Sequence, residues 1–298
     1  HYRQSVLDAP LLIFLAVSLI SALFSSNLYD SFLGRSEYFV LNFIFLVFCV
    51  LFYFILVNFL YTPERWRGVF DAVLMVGGAA SILFILKTAF NLSLPWVGSV
   101  WNVVDGANSS LGLWLMPIFM LSAGSLIKRD VSVGRALWYF FIMMLALAPL
   151  LMMGVSLFWW VLLVGLILLL LLGASFLREV RLGWLSVLFI LLIGVCVFII
   201  FGSPRSFQSV LPAEVSLDIK PSLSITKDTV FSGAKNFLFG SGLGTFASDF
   251  SKFRTPDFNY DKMAWSLRFN QPFTSFFAIL AEGGVLLALG FVFLFLFV

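Results

Sequence analysis

Three groups of residues have the types and spacing to do chemistry, most of them in one polar stretch near the end of the chain. Gly240, Gly242 and Gly244 alternate with Ser241 and Leu243 ahead of Thr245-Phe246. Without Cβ atoms, successive N–H groups in such a run can converge on an anion. A tight turn between two segments is the plainer reading of the same glycines. Cations that could meet a phosphate form the second group: Lys220, Lys227, Arg254 and Arg268 nearby, with Lys87 and Arg35 at the ends of apolar segments. A solvated face or a match to lipid headgroups would also account for the first four. Lys87 and Arg35 are functional candidates or side chains that snorkel to the interface. The third group is acidic. Asp249, Asp257 and Asp261 could each take a proton from a hydroxyl, and spacing does not choose among them. Glu282 stands apart, inside an apolar run between Ala281 and Gly283. A carboxyl there is either protonated and hydrogen-bonded to a neighbouring helix or paired with a cation.

Other chemistry is excluded by what is scarce. His1 is the only histidine, so a histidine-built metal site is ruled out, and no metal or cofactor is expected. Cys49 and Cys196 are the only cysteines, both in apolar runs, which excludes a disulfide scaffold. A formal charge of +3 with no Lys/Arg run gives no basis for nucleic-acid binding.

The elements that must position these groups are apolar. Of 298 residues, 61% are hydrophobic and only 11% charged. A soluble globule could not cover that much apolar surface with so few polar groups. The pattern predicts an all-α polytopic transmembrane bundle, a single integral membrane domain over 1–298. About eight spans are expected, over 10–26, 38–61, 69–90, 110–127, 136–154, 157–177, 183–202 and 272–298. Arg3, Arg65, Arg67, Lys128, Arg129, Arg135, Arg178 and Arg181 fall on one side of this topology, against Arg35 alone in the short loops of the other. The positive-inside rule makes the first side cytoplasmic, together with both ends of the sequence given. Trp66, Trp138 and Trp184 then belong to the inner interface, and Trp96, Trp101 and Trp159 to the outer one. The sequence starts without Met and stops inside an apolar run, as a piece of a longer protein would. The segment 203–271 is the long outer loop. Within it a helix capped by Ser222 or Ser224 is expected to run to Leu238, with Ile225, Phe231, Ala234 and Leu238 as a loose apolar stripe.

The order of these features resembles the O-antigen ligase and O-antigen polymerase superfamily of bacterial membrane glycosyltransferases. The resemblance rests on Gly240-x-Gly-x-Gly-x-Phe246, the polar stretch after it, and the run from Phe273 to Gly284. Asp8-Ala-Pro-Leu-Leu-Ile-Phe-Leu and Asp105-Gly-Ala-Asn-Ser-Ser-Leu-Gly112 add to it. It implies a GT-C-like helical architecture in the bacterial cytoplasmic membrane. The implied activity passes a glycan from an undecaprenyl diphosphate carrier to a lipid, sugar or protein acceptor at the outer face, with no cofactor. Fixed cations and N–H donors would stabilise the diphosphate, and a base would serve the acceptor hydroxyl. Where the family has a His-Asn pair this chain has Phe273-Thr274, Ser156-Leu157 replaces a Ser-Arg pair, and Lys220 stands where an Arg is usual. The alternatives are a non-catalytic relative that binds lipid-linked glycans and a secondary transporter.

Overall fold

The computed structural model describes residues 5–34, 41–90, 108–129, 131–175, 182–204, 207–208, 211, 215–255, 258 and 266–296. Their regular elements are helices: α1 (Asp8–Leu23), α2 (Leu28–Leu33), α3 (Phe43–Phe59), α4 (Pro63–Phe90), α5 (Asn108–Leu126), α6 (Val133–Met153), α7 (Ser156–Ser175), α8 (Leu182–Phe201), α9 (Ile219–Val230), α10 (Ala234–Phe239), α11 (Phe246–Phe253) and α12 (Ser275–Leu296). Six of them are long and apolar enough to cross a membrane: α4 to α8 and α12. The chain is a multi-pass helical membrane protein. Its outward-facing side chains agree, since Ile200 is 72% and Phe201 81% exposed, surface that lipid rather than water would cover.

The first two expected spans appear as shorter apolar helices, α1 and α3, of 16 and 17 residues. Polar caps shorten them. Asn27 Oδ1 accepts the Asp30 N–H (3.4 Å), starting α2 soon after α1 ends. Asn42 Oδ1 accepts the Phe45 N–H (2.8 Å), so α3 starts later than the apolar pattern does. Tyr53 donates its hydroxyl to Asp8 Oδ1 (3.0 Å), tying α3 to the start of α1.

The chain packs as two compact units, residues 63–214 and residues 1–62 with 215–298. The 63–214 unit is α4 to α8 around a core that includes Leu74, Leu115, Phe119, Met143, Leu150, Phe158 and Leu162. Lipid tails are as apolar as these side chains, so close packing rather than dehydration must hold such helices together. Glycines permit it. A Cβ at Gly77 would lie 2.6 Å from Ile118 Cγ1, one at Gly78 2.8 Å from Ile142 Cδ1, and one at Gly112 would fall on the Phe158 ring. Trp159 is buried here (1% exposed) and donates Nε1–H to Ser203 Oγ at 2.9 Å. It fills the core, where this hydrogen bond satisfies its polar edge.

In the other unit α1 and α12 pack together, α2 and α3 flank α1, and α9, α10 and α11 lie on α12. The expected helix 222–238 is in fact two. Asp218 stands at the N-cap of α9, Ser222 lies inside it, and Ser232-Gly233 separates it from α10. The buried face is Ser222, Ile225, Thr226, Thr229 and Val230, while Phe231 is 68% exposed. The loose stripe of Ile225, Phe231, Ala234 and Leu238 therefore spans two helices.

Gly112→Leu must displace the buried Phe158 ring, so it should cost about 1–3 kcal/mol. Gly68→Ala, with nothing within 4 Å of the added carbon, should cost nothing. Thermal unfolding of the two variants in detergent compares them directly.

Candidate functional site

The site grows from a break in α12. Gly284 has φ 69° and ψ −173°, so the helix stops and restarts there. A helix end leaves its last carbonyls without partners, and inside a spanning segment no water replaces them. The glycine-rich turn does. Ser241 N–H donates to the Ala281 carbonyl (3.0 Å) and Gly242 N–H to the Glu282 carbonyl (2.9 Å). The Ser21 hydroxyl of α1 donates to that same Glu282 oxygen at 3.0 Å.

Glycine is required by this approach. Gly240 and Gly284 both have positive φ, and a Cβ on Gly240 would overlap the Glu282 carbonyl. A Cβ on Gly284 would lie 2.6 Å from the Gly240 nitrogen. On its other side the turn is held by the connection from α1 to α2. Ser26 N–H donates to the Ser241 carbonyl (2.9 Å), and the Ser31 hydroxyl donates to the Leu243 carbonyl (2.7 Å).

Glu282, 1% exposed, turns its carboxyl group to this turn. Its Oε2 accepts the Gly244 N–H (2.9 Å) and its Oε1 the Phe246 N–H (3.0 Å). These donors open α11, whose N-cap residue Thr245 makes no side-chain capping bond. A carboxyl group from a distant helix thus caps α11. The acceptor that the turn meets here is the chain's own.

Asp249 lies in the first turn of α11 and is 6% exposed. The Ser241 hydroxyl donates to its Oδ2 at 2.5 Å, and Ser241 Oγ lies 2.8 Å from Thr245 Oγ1. Burial pushes its carboxyl up to about 7, while the Ser241 hydroxyl, Lys252 and Lys235 pull the other way. A carboxyl poised there can hold or release a proton near neutrality.

Gly240, Gly242, Gly244, Asp249 and Glu282 therefore form one cluster. Lys220 and Lys227 are exposed on α9, Arg268 is exposed ahead of α12, and Arg254 follows α11. Lys227 lines a cavity of about 300 Å³ with Leu223, Thr226, Val230, Phe237 and Leu280. The Thr226 hydroxyl in its wall is buried and has no hydrogen-bond partner among the described residues. Lys87 lies on α4 in the 63–214 unit. Arg35, Asp257 and Asp261 lie outside the described residues.

Sequence reasoning missed Ser21, Ser31, Ser241, Thr245 and Gly284. The available signal was small polar residues within apolar runs, and a Gly-Gly pair directly after an intramembrane acid. The fold and cluster define a polytopic helical membrane protein with a buried carboxylate site. Compared with protein-family models, curated proteins and solved structures, the chain matches none.

Glu282→Gln turns an NH₂ toward one of two N–H donors and should lower stability by about 1–3 kcal/mol, read as a lower thermal midpoint. For Asp249 the folded state holds the proton more tightly than the unfolded chain. Its contribution is therefore full below about pH 4, is lost as pH rises to about 7, and stays constant above. Asp249→Asn should reduce the difference in thermal midpoint between pH 5 and pH 8.

Proposed function

We propose that this protein is a glycosyltransferase of the O-antigen ligase type. In this reading it moves a glycan from an undecaprenyl-diphosphate carrier to a lipid, sugar or protein acceptor. The reaction runs at the outer face of the bacterial cytoplasmic membrane, with the segment 203–271 outside. The supporting observation is the cavity beside α9, whose wall is apolar and suits an isoprenoid chain. The exposed Lys227 on the same helix offers a cation for the anionic head. A further support is that the two sequence segments carrying the resemblance hydrogen-bond to one another through Ser241, Gly242, Gly244 and Phe246.

In the reaction, the acceptor hydroxyl oxygen forms the new bond to the anomeric carbon as that carbon's bond to the diphosphate oxygen breaks. Asp249 takes the hydroxyl proton, and its proton affinity near neutrality suits the role. The departing diphosphate carries off the electron pair and meets Lys227, with Lys220, Arg254 and Arg268 as further cations. Secondary transport is the second reading, favoured by a broken helix with a buried carboxylate. Both Glu282 oxygens already receive N–H donors, which leaves that carboxylate poorly placed for a transported cation.

The test uses vesicles containing the protein and a labelled undecaprenyl-diphosphate oligosaccharide. Release of undecaprenyl diphosphate with transfer of the label is expected. Asp249→Asn should slow it at least about 100-fold, and Lys227→Glu should weaken donor binding. Saturable binding without release would replace the transferase with a non-catalytic relative. Absence of both would end the glycan reading.

A further inference from the structure

A second pocket lies in the 63–214 unit, where α4 and α6 begin and α5 ends. It has a volume of about 320 Å³ and is lined by Trp66, Arg67 and Phe70 of α4, Ser125 of α5, Lys128 and Val131 just beyond, and Arg135 and Tyr139 of α6. Among the described residues one acid answers these cations. Asp71 Oδ2 pairs with Arg135 Nη2 at 3.0 Å, and Asp71 Oδ1 accepts the Tyr139 hydroxyl at 3.3 Å. Arg67 and Lys128 form no ion pair with a carboxylate among the described residues. The pairing of Asp71 fixes Arg135 and Tyr139 in the wall, and Phe70 meets the Tyr139 ring edge to face at 6.3 Å. What remains is a formed concavity with two cations left for a ligand, a serine hydroxyl and an aromatic wall.

We propose that this pocket binds the phosphate headgroup of an anionic membrane phospholipid. Three observations choose a lipid over a soluble phosphate. All three contributing helices are long and apolar enough to span, so their shared end lies at headgroup depth. Trp66, 57% exposed, is a residue that settles at the membrane–water boundary. The lining also divides as a phospholipid does, with Arg67, Lys128 and Ser125 for the phosphate and Trp66, Phe70, Val131 and Tyr139 for the glycerol and upper chains. The count of basic residues puts this end on the cytoplasmic side, where anionic lipids supply the ligand. The pocket is independent of the glycan chemistry proposed above.

The experiment is native mass spectrometry of the full chain in detergent. Phosphatidylglycerol, phosphatidylcholine and inorganic phosphate are titrated separately. Phosphatidylglycerol should bind saturably and at least tenfold more tightly than phosphatidylcholine. The double variant Arg67→Gln/Lys128→Gln should weaken phosphatidylglycerol by about thirtyfold, while Lys252→Gln on α11 should not change it. Both pocket cations are exposed, so folding is checked simply by the thermal midpoint. Equal binding of the two lipids, or no loss in the double variant, would overturn the proposal. Tight inorganic phosphate binding without a preference for phosphatidylglycerol would overturn it in favour of a soluble phosphate ligand.

Discussion

Backbone polar groups inside a spanning segment must find partners within the protein, and the 1–62 and 215–298 unit is arranged around one place where a helix cannot supply them. At Gly284 the ladder of α12 is interrupted, and the carbonyls of Ala281 and Glu282 take donors from Ser241, Gly242 and Ser21. The side chain of Glu282 accepts as well, from Gly244 and Phe246. One residue thus joins the broken helix to the turn through its carbonyl and to α11 through its carboxylate. Because both contacts depend on close backbone approach, the glycines at 240 and 284 follow from the same constraint.

That arrangement places Asp249. Its helix starts where Glu282 caps it, and Ser241, fixed by its backbone bonds to Ala281 and Ser26, presents its hydroxyl to the Asp249 carboxylate. The apolar cluster of Leu217, Ile225, Phe246, Phe250 and Ala281 closes over this first turn and supplies the burial that raises its proton affinity. Local chain geometry, apolar packing and acidity are consequences of one another here.

The 63–214 unit solves a different problem. Its helices carry few polar residues, so they associate through shape, with glycines on α4, α5 and α7 admitting Ile118, Ile142, Phe158 and Met120. Polar groups lie at the helix ends, where Asp71 bonds to both Arg135 and Tyr139 and Arg67 and Lys128 line the pocket. The two units therefore carry their polar chemistry differently, one within a broken helix and one at the boundary.

Composition and apolar run length alone determined the helical membrane class and most span positions, because hydrocarbon admits few backbone solutions and demands a minimum length. Glu282 and the alternating glycines were visible as unusual residues, since an acid in an apolar run and a Gly-x-Gly-x-Gly series each break a local pattern. Their partnership was not visible. Some forty positions separate Ser241 from Ala281, and no periodicity encodes a hydrogen bond across that distance. Tertiary folding brings the Glu282 carboxyl of α12 to the N–H groups of the glycine turn. Ser222 and Ser224 looked like helix caps because hydroxyls favour that position, whereas packing put Ser222 inside α9 to accept the Phe273 N–H. Nor did any local pattern pair the Trp159 indole with Ser203, which lies 44 positions along the chain. Residue type limits which bonds are possible, and only the folded chain decides which partners come within reach.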